Sequence, residues 1–207
     1  MKTIIIGAGG FGREILDTIH QINILKPTYN LVGFIDNRIK KGTIVNDLIV
    51  LGNDDILDNY VGINLIIGVG APHIREKIYN RYKDQFNFLT IIHPTAIVSK
   101  YAKIADCVII QAFCIVAANV NLKKGVCINA RTGIGHDSIV GDFSSIQSFC
   151  DITGANKIGK LCFLGTGVKV IPELILGDEC YVCAGSIIFK SANKKSKIMG
   201  NPSKIIG

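Results

Sequence analysis

Branched apolar residues recur at every sixth position through the second half of the chain. Seventeen residues occupy every sixth position from Ile92 to Ile188, and each of them is Ile, Val or Leu. A period of six fits neither an α-helix nor a single long strand, but it is typical of a hexapeptide β-helix, in which three short strands make one triangular coil. We expect one branched residue to point inward at each corner, and stacked coils to bury these residues against each other.

A second position of the repeat, four residues after each branched one, holds mainly small residues, from which Asn156 and Leu174 depart. It contains four of the seven cysteines: Cys114, Cys150, Cys162 and Cys180. A buried free cysteine behaves as a small hydrophobic residue, so these four are predicted to fill the core. Cys180 and Cys183 have the CxxC form, but no second such pair or nearby histidine completes a zinc site, and no metal is expected.

The N-terminal third alternates apolar runs with helix-like segments. Residues 3–12, "TIIIGAGGFG", place a glycine turn of the form Gly-x-Gly-x-x-Gly between a strand and a helix, and a second run, "LVGFID", ends in Asp36. A turn of this kind presents backbone N–H groups to a phosphate, and the acidic residue lies at the distance typical of a ribose contact. The motif alone favours NAD. A unit of about 90 residues is short for a full dinucleotide fold, which favours a nucleotide-activated sugar.

These patterns predict an α/β N-terminal domain with a small Rossmann-like parallel sheet, followed by an all-β left-handed parallel β-helix. The predicted boundaries are 1–90 for a nucleotide-sugar-binding domain, 91–191 for the hexapeptide-repeat domain, and 192–207 for a C-terminal tail at a coenzyme A site.

Charge and hydropathy narrow the possible partners. The chain of 207 residues carries a net charge of +7, with basic residues concentrated near its end. This is either a solvated tail or an attraction for phosphate-bearing small molecules. Zinc-finger spacing, a basic helix and aromatics interleaved with Lys or Arg are missing, so nucleic acid is not expected. No apolar run approaches the roughly 20 residues of a membrane helix, and no signal-peptide pattern is seen. We therefore expect a cytoplasmic protein without membrane insertion.

Several segments resemble the motifs of one family. They are "IIIGAGGFGREI", "GFID", "LGND", "IIHPTAIVS", "INARTGIGHDSIVGDF", "IGKLCFLGTG" and "GNPSKIIG". Together they resemble the sugar O-/N-acyltransferase family of left-handed β-helix enzymes, which includes sialic acid O-acetyltransferases and the N-acetyltransferases of nucleotide-linked amino sugars. The resemblance covers essentially the whole chain. It implies a homotrimer with acetyl-CoA bound as co-substrate between neighbouring helices.

His136 and Asp137 are the candidate catalytic pair. The resemblance implies that the histidine acts as general base toward a sugar amine and that the acid orients the ring. The chemistry agrees, because an amine must lose a proton as it attacks a thioester and histidine titrates near neutral pH. The alternative is a surface pair on a corner of the β-helix. Consecutive strand residues point to opposite faces, so Asp137 can help only if the chain bends there.

The resemblance also assigns binding residues. The backbone N–H of Gly154 matches the family position that meets the thioester carbonyl. Coenzyme A is expected along the later coils, near Gly165, Ala184, Gly185, Lys190, Asn201 and Pro202. The nucleotide sugar is expected to contact Gly7, Ala8, Gly9, Gly10, Phe11, Gly12, Asp36, Asn37 and Arg38. Some relatives carry a histidine in place of Phe11 or Ser145, so their particular substrate is not transferred to this chain.

Three hypotheses follow. The first is an acetyl-CoA-dependent N-acetyltransferase acting on a nucleotide-linked amino-6-deoxy sugar in surface glycan biosynthesis. The second is O-acetylation of a sialic acid or a related sugar, since the same base would serve a hydroxyl group. The third is a non-catalytic scaffold that binds a nucleotide sugar. The sequence determines neither the sugar, its amino position nor the nucleotide base.

Overall fold

The computed structural model describes residues 1–206 of the chain. The chain divides into two compact units, Met1–Thr90 and Ile91–Gly207. Within the described residues, neither α-helix has the length and apolar character needed to cross a bilayer.

The first unit contains one six-stranded sheet with two α-helices and a 3₁₀ helix. The strands are β1 (Lys2–Ile6), β2 (Asn30–Ile35), β3 (Ile44–Val45), β4 (Leu48–Gly52), β5 (Asn64–Ile67) and β6 (Asn87–Phe88), in the order β3-β4-β2-β1-β5-β6. The helices are α1 (Gly10–Leu25) and α2 (Pro72–Tyr82), and the 3₁₀ helix is Asp54–Asn59. All neighbouring strands are parallel except β3 and β4, which confirms the small Rossmann-like sheet.

Close packing at the glycine turn fixes where α1 begins. Strand β1 is buried from Thr3 to Ile6, and the chain turns at Gly7, which has φ +98°. A Cβ atom on Gly12 would lie 1.9 Å from the Gly7 carbonyl oxygen, so no larger residue fits there. The N-terminus of α1 is thereby held at the carboxyl end of the central strand.

The second unit is a left-handed parallel β-helix built from two-residue strands, as predicted. Its strands are β7 (Ile91–Ile92), β8 (Ile97–Val98), β9 (Lys103–Ile104), β10 (Ile109–Ile110), β11 (Ile115–Val116), β12 (Asn121–Leu122), β13 (Cys127–Ile128), β14 (Gly133–Ile134), β15 (Ile139–Val140), β16 (Ser145–Ile146), β17 (Asp151–Ile152), β18 (Lys157–Ile158), β19 (Phe163–Leu164), β20 (Lys169–Val170), β21 (Ile175–Leu176), β22 (Tyr181–Val182), β23 (Ile187–Ile188), β24 (Lys197–Met199) and β25 (Lys204–Ile205).

These strands form three sheets, one on each side of the coil. Side one contains β7, β10, β13, β16, β19, β22, β24 and β25, side two contains β8, β11, β14, β17, β20 and β23, and side three contains β9, β12, β15, β18 and β21. From β7 to β23, successive strands of one side are 18 residues apart, as Gly133 opposite Asp151 shows, so residues 18 apart stack in rows along the helix. At the end of side one, Tyr181 of β22 lies opposite Lys197 of β24, and β25 pairs antiparallel with β24.

The branched residues of the six-residue repeat are the second residues of β7 to β23, which confirms the core that the sequence predicted. Their expected place at the corners was wrong, because they lie on the flat sides. Each corner contains a two-residue turn between successive strands, and from Cys107 to Gly185 the second residue of the turn adopts a left-handed backbone. Asn119, Asp137 and Ala155 are examples, with φ of +60°, +59° and +56°. This backbone conformation turns the chain from one flat side to the next.

Small residues before each strand fill the remaining core space. Cys114, Cys150, Cys162 and Cys180 are all buried and free, which confirms their predicted role. Buried hydroxyls at the same position bind the backbone of the following coil: Thr132 Oγ1 donates to the Gln147 carbonyl at 2.8 Å. A polar residue is therefore tolerated where the neighbouring coil offers a carbonyl acceptor.

The buried branched residues of the six-residue repeat should contribute most of the stability of the β-helix. Ile152 is 0% exposed, whereas Ile175 is 52% exposed. We expect Ile152→Ala to lower the free energy of unfolding by about 2–5 kcal/mol because it leaves a cavity in the core. Ile175→Ala, the matched control, should change it by less than about 0.5 kcal/mol. Chemical denaturation at one protein concentration measures both values, and equal losses would contradict the assignment of the core.

Candidate active site

His136 and Asp137 form the corner between β14 and β15. The left-handed backbone of Asp137, φ +59°, brings the two consecutive side chains to the same side of the chain. His136 Nδ1 lies 2.8 Å from Asp137 Oδ2. The bend that the sequence argument required is therefore present.

The carboxylate of Asp137 is held from two sides. Asn119, in the preceding coil, donates from Nδ2 to Asp137 Oδ1 at 2.9 Å. The hydrogen bond from His136, and then the one from Asn119, lower the pKa of Asp137, which keeps the carboxylate ionised. A carboxylate can only accept, so Nδ1 of His136 carries the proton and Nε2 of the neutral ring has a free lone pair. The side chains are 68% and 53% exposed, so a substrate can reach them.

Gly154 lies against the imidazole ring, one coil further along the same corner row. A Cβ atom at this position would be 2.6 Å from His136 Nε2, so the ring occupies space that any side chain would need. The Gly154 carbonyl accepts from the Glu173 N–H at 3.1 Å, while within residues 1–206 the Gly154 N–H makes no hydrogen bond. A proton acceptor and a free backbone donor thus lie side by side.

The other residues predicted to bind coenzyme A lie in two places. Lys190 belongs to the same corner row as His136 and Gly154, two coils beyond Gly154. Gly165, Ala184 and Gly185 lie instead at the corner between sides one and two.

Asn201 and Pro202 belong to the tail and are joined by a cis peptide bond. The tail is tied to the last coil, because the Ser203 N–H donates to the Ile187 carbonyl at 3.2 Å and β24 pairs with β22.

The first unit contains a cavity of about 490 Å³ at the start of α1. Seven of the residues predicted to bind the nucleotide sugar line it: Gly7, Gly9, Gly10, Phe11, Asp36, Asn37 and Arg38. Ala8 and Gly12 are buried and do not line it. No side chain caps the first turn of α1, so its N–H groups and the helix dipole favour an anion there.

Asp36 joins two loops of this cavity. Its carboxylate accepts from the N–H groups of Ala8 at 2.9 Å, Arg38 at 2.8 Å and Ile39 at 3.2 Å. The glycine turn after β1 is thereby tied to the loop after β2. This structural role was not part of the sequence prediction, and the ribose contact of Asp36 stays a prediction.

Sequence reasoning missed one wall of the cavity. Ile74, Ile78 and Tyr82 repeat every fourth residue on α2 and face the cavity together with Asp54. Asp54 Oδ2 accepts from Arg81 Nη1 at 2.7 Å and from the Tyr82 hydroxyl at 3.2 Å. Burial, followed by the charge of Asp54, raises the pKa of Tyr82 to about 12, so its hydroxyl stays protonated. The "LGND" motif, which ends in Asp54, was the available signal.

Outside this site, His93 has a structural role. His93 Nδ1 accepts from the Thr95 N–H at 3.1 Å, and burial lowers the pKa of His93. Across residues 1–206, no three His, Cys, Asp or Glu side chains cluster as metal ligands would.

Comparisons with known proteins agree with this architecture. The PglD N-terminal domain family matches residues 2–82. The structure of PerB from Caulobacter crescentus in complex with CoA and GDP-perosamine is similar over 100% of this chain and 98% of that chain, with a TM-score of 0.92 and 24% identity. The acetyltransferase domain of PglB from Neisseria gonorrhoeae, in complex with acetyl coenzyme A, is similar over 99% and 98%, with a TM-score of 0.90 and 26% identity.

Sequence relatives differ in how much of their length is matched. A GDP-perosamine N-acetyltransferase from Escherichia coli is 24% identical over 200 residues, which cover 95% of this chain and 81% of that protein. The chain spans only about a quarter of the length of several other curated acyltransferases, from 24% to 29%.

The contact between Gly154 and the imidazole predicts a specific effect of a single methyl group. Gly154→Ala should push the His136 ring away and break its 2.8 Å contact with Asp137, because the new Cβ overlaps the ring. Gly133→Ala is the control, since its Cβ would meet nothing nearer than Asp151 Oδ1 at 3.6 Å. Crystal structures of both variants measure the distance, and an unmoved ring in Gly154→Ala would contradict the described packing.

Proposed function

We propose that this chain, which belongs to the sugar acyltransferase family of hexapeptide-repeat β-helix proteins, transfers the acetyl group of acetyl-CoA to the amino group of a nucleotide-linked amino-6-deoxy sugar. The observation that carries the proposal is the imidazole of His136, held by Asp137 beside the free N–H of Gly154. The reaction would serve surface glycan biosynthesis.

In this mechanism His136 is the general base. The sugar amine attacks the carbonyl carbon of the thioester, and Nε2 of His136 takes the proton that the nitrogen loses as the C–N bond forms. The carboxylate of Asp137 keeps Nδ1 protonated and stabilises the imidazolium. When the C–S bond breaks, the imidazolium returns the proton to the departing sulfur. The products are an N-acetylated sugar and free coenzyme A.

Gly154 serves the carbonyl oxygen of the thioester. Negative charge develops on that oxygen as the amine attacks, and a fixed backbone donor stabilises it without reorganisation. Because the Gly154 N–H has no acceptor among residues 1–206, it is available for this bond. The absence of a side chain lets the imidazole and the donor approach the same reacting carbon.

The cavity of the first unit would bind the nucleotide. Its phosphates would meet the N–H groups of Gly9, Gly10 and Phe11 at the start of α1. A Cβ on Gly9 or Gly10 would meet nothing within 4 Å, so packing within the chain does not require glycine at either position. A ligand that approaches the backbone closely would require it. Asn37 and Arg38 add polar groups to the same cavity.

Coenzyme A would lie along the later coils. Gly185 is exposed and a Cβ there would meet nothing within 4 Å, so it presents bare backbone to the exterior. Gly165 is buried, and a Cβ there would be 2.6 Å from the Ala184 nitrogen, so glycine lets the two coils approach closely. Lys190 supplies a positive charge in the row of Gly154, which suits a phosphate-bearing ligand. Asn201 and Pro202 complete the proposed set.

A homotrimer and a cytoplasmic setting are part of the proposal. Side two and its corner expose large apolar residues that a second copy of the chain could cover: Ile97 at 67%, Phe113 at 58%, Phe149 at 54% and Ile115 at 53%. The Arg131 guanidinium lies 5.9 Å and 5.3 Å from the ring centroids of Phe113 and Phe149.

All seven cysteines are free, as is usual in a reducing compartment.

A turnover panel tests the substrate class. Acetyl-CoA is offered with UDP-, dTDP- and GDP-linked 3- and 4-amino sugars and with free sialic acid, while thiol release is followed. We expect release with at least one nucleotide-linked amino sugar and none with sialic acid. Release with sialic acid alone would instead support O-acetylation and overturn the proposed acceptor.

Replacement of His136 tests its role as base. His136→Asn should lower kcat by about 10²–10⁴-fold, the usual contribution of a general base, while both substrates still bind. His20→Asn, an exposed residue of α1, is the control and should keep full turnover. Calorimetry measures binding beside the kinetics. Undiminished turnover in His136→Asn would remove the residue from the mechanism, and binding without turnover in the wild-type chain would support the scaffold alternative.

A further inference from the structure

One peptide group lies at the centre of the proposed chemistry. The carbonyl of Thr153 and the N–H of Gly154 belong to the same planar trans peptide, so they point in opposite directions. Whatever fixes the direction of the carbonyl therefore fixes the direction of the donor that faces the thioester.

Two buried side chains hold this carbonyl. Ser138 Oγ donates to the Thr153 carbonyl at 3.0 Å, and Asn156 Nδ2 donates to the same oxygen at 2.8 Å. Both residues are 0% exposed. The carbonyl is thus directed into the β-helix, which leaves the Gly154 N–H on the outer surface beside His136.

The two side chains are also tied to each other and to the next coil. The Asn156 N–H donates to Ser138 Oγ at 3.1 Å, and Asn156 Oδ1 accepts from the Leu174 N–H at 2.9 Å. The Ser138 hydroxyl and the Asn156 amide oxygen are therefore both engaged, and Asn156 Nδ2 also lies 3.5 Å from Thr153 Oγ1 and from the Gly154 carbonyl oxygen. The amide orientation follows from the Leu174 donor. Turning either side chain away from the carbonyl would break these hydrogen bonds inside the core.

Other corners use a simpler version of this arrangement. At the equivalent place one hydroxyl reaches the carbonyl: Ser144 Oγ donates to Gly159 at 2.7 Å and accepts from the Cys162 N–H at 2.9 Å. Cys162 occupies the position equivalent to Asn156, and its sulfur contacts the Lys160 and Gly177 carbonyls instead. Asn156, which departs from the small residues of the repeat, adds the second donor at the corner that carries the candidate chemistry.

We propose that Ser138 and Asn156 are positioning residues for acetyl transfer, which together hold the 153–154 peptide so that the Gly154 N–H faces the reacting carbonyl. The inference rests on the proposed function. Rotating this peptide would break both hydrogen bonds and leave two buried donors unpaired, which opposes the rotation. Two donors on the carbonyl also polarise the peptide and make its N–H a stronger donor.

Two variants test the inference without emptying the core. Ser138→Ala removes one donor, and Ala102 occupies the same row. Asn156→Ser removes the other, while a serine can still accept from the Leu174 N–H, as Ser144 does from Cys162. Loss of an oxyanion donor costs about 10²–10³-fold in kcat, so loss of one of its two supports should cost about 5- to 20-fold. Both KM values should stay within about two-fold, because ground-state binding is untouched.

Matched variants separate positioning from general stability. Ser144→Ala makes the same change at a corner away from His136 and should keep wild-type kcat. Ser138→Thr should restore kcat, because Thr132 makes the equivalent hydrogen bond at its own corner. In the double variant, kcat should fall by less than the product of the two single losses, unless the peptide rotates outright. A crystal structure of the double variant shows the direction of the Thr153 carbonyl.

The outcomes distinguish the inference from the proposed function. If the wild-type chain acetylates an amino sugar and Ser138→Ala and Asn156→Ser match Ser144→Ala in kcat, the positioning role is wrong while the function stands. If the wild-type chain releases no thiol with any amino sugar, the proposed function itself fails. An equal fall in kcat for Ser144→Ala and Ser138→Ala would show that the loss is one of general stability and would also overturn the inference.

Discussion

A left-handed backbone at the second residue of the corners is the constraint on which the β-helix depends. It recurs every six residues from Cys107 to Gly185, and non-glycine residues such as Phe113, Leu161 and Glu179 adopt it with φ of +58°, +58° and +61°. This conformation costs about 1–2 kcal/mol for each non-glycine residue, so the packing of stacked coils must offset it. At Asp137 the same turn brings two consecutive side chains into hydrogen-bond contact. The geometry that closes the coil therefore also builds the candidate catalytic pair.

Stacking at intervals of 18 residues gives the site its precision. Asn119, His136 and Gly154 come from three successive coils, and backbone hydrogen bonds such as that from the Ala155 N–H to the His136 carbonyl, 2.8 Å, lock their registers. A small shift of one coil would move every group in its row. Buried hydroxyl and amide groups reinforce this register wherever the core contains a polar side chain. Hydrogen bonds inside the β-helix therefore also fix the orientation of backbone donors at its surface.

The sequence predicted much of the fold because a strict six-residue repeat of branched apolar residues is compatible with few folds. The seventeen repeats located nearly every residue of the hydrophobic core of the β-helix, and the cysteines in the small positions were placed correctly. The corners themselves were misplaced, because apolar periodicity shows which residues are buried but not where the chain turns. Sequence reasoning could only suspect the contact between His136 and Asp137, since that contact depends on a sign of φ that an aspartate seldom adopts.

The first unit shows the limit of sequence reasoning more clearly. The glycine turn located the cavity, yet the partners of Asp36 lie on the turn after β1 and in the loop after β2, and only the fold brings them together. Asp54 and Tyr82 come from the 3₁₀ helix and α2, and their joint position at the cavity follows from tertiary packing.

A crystal structure of the chain with coenzyme A and a nucleotide-linked amino sugar tests the central claim most directly. The account predicts that the sugar amine lies about 3 Å from His136 Nε2, the distance of a proton transfer, with the coenzyme A sulfur on the Gly154 side of the ring. An amine and a sulfur that meet at another place, with the imidazole touching neither, would contradict it.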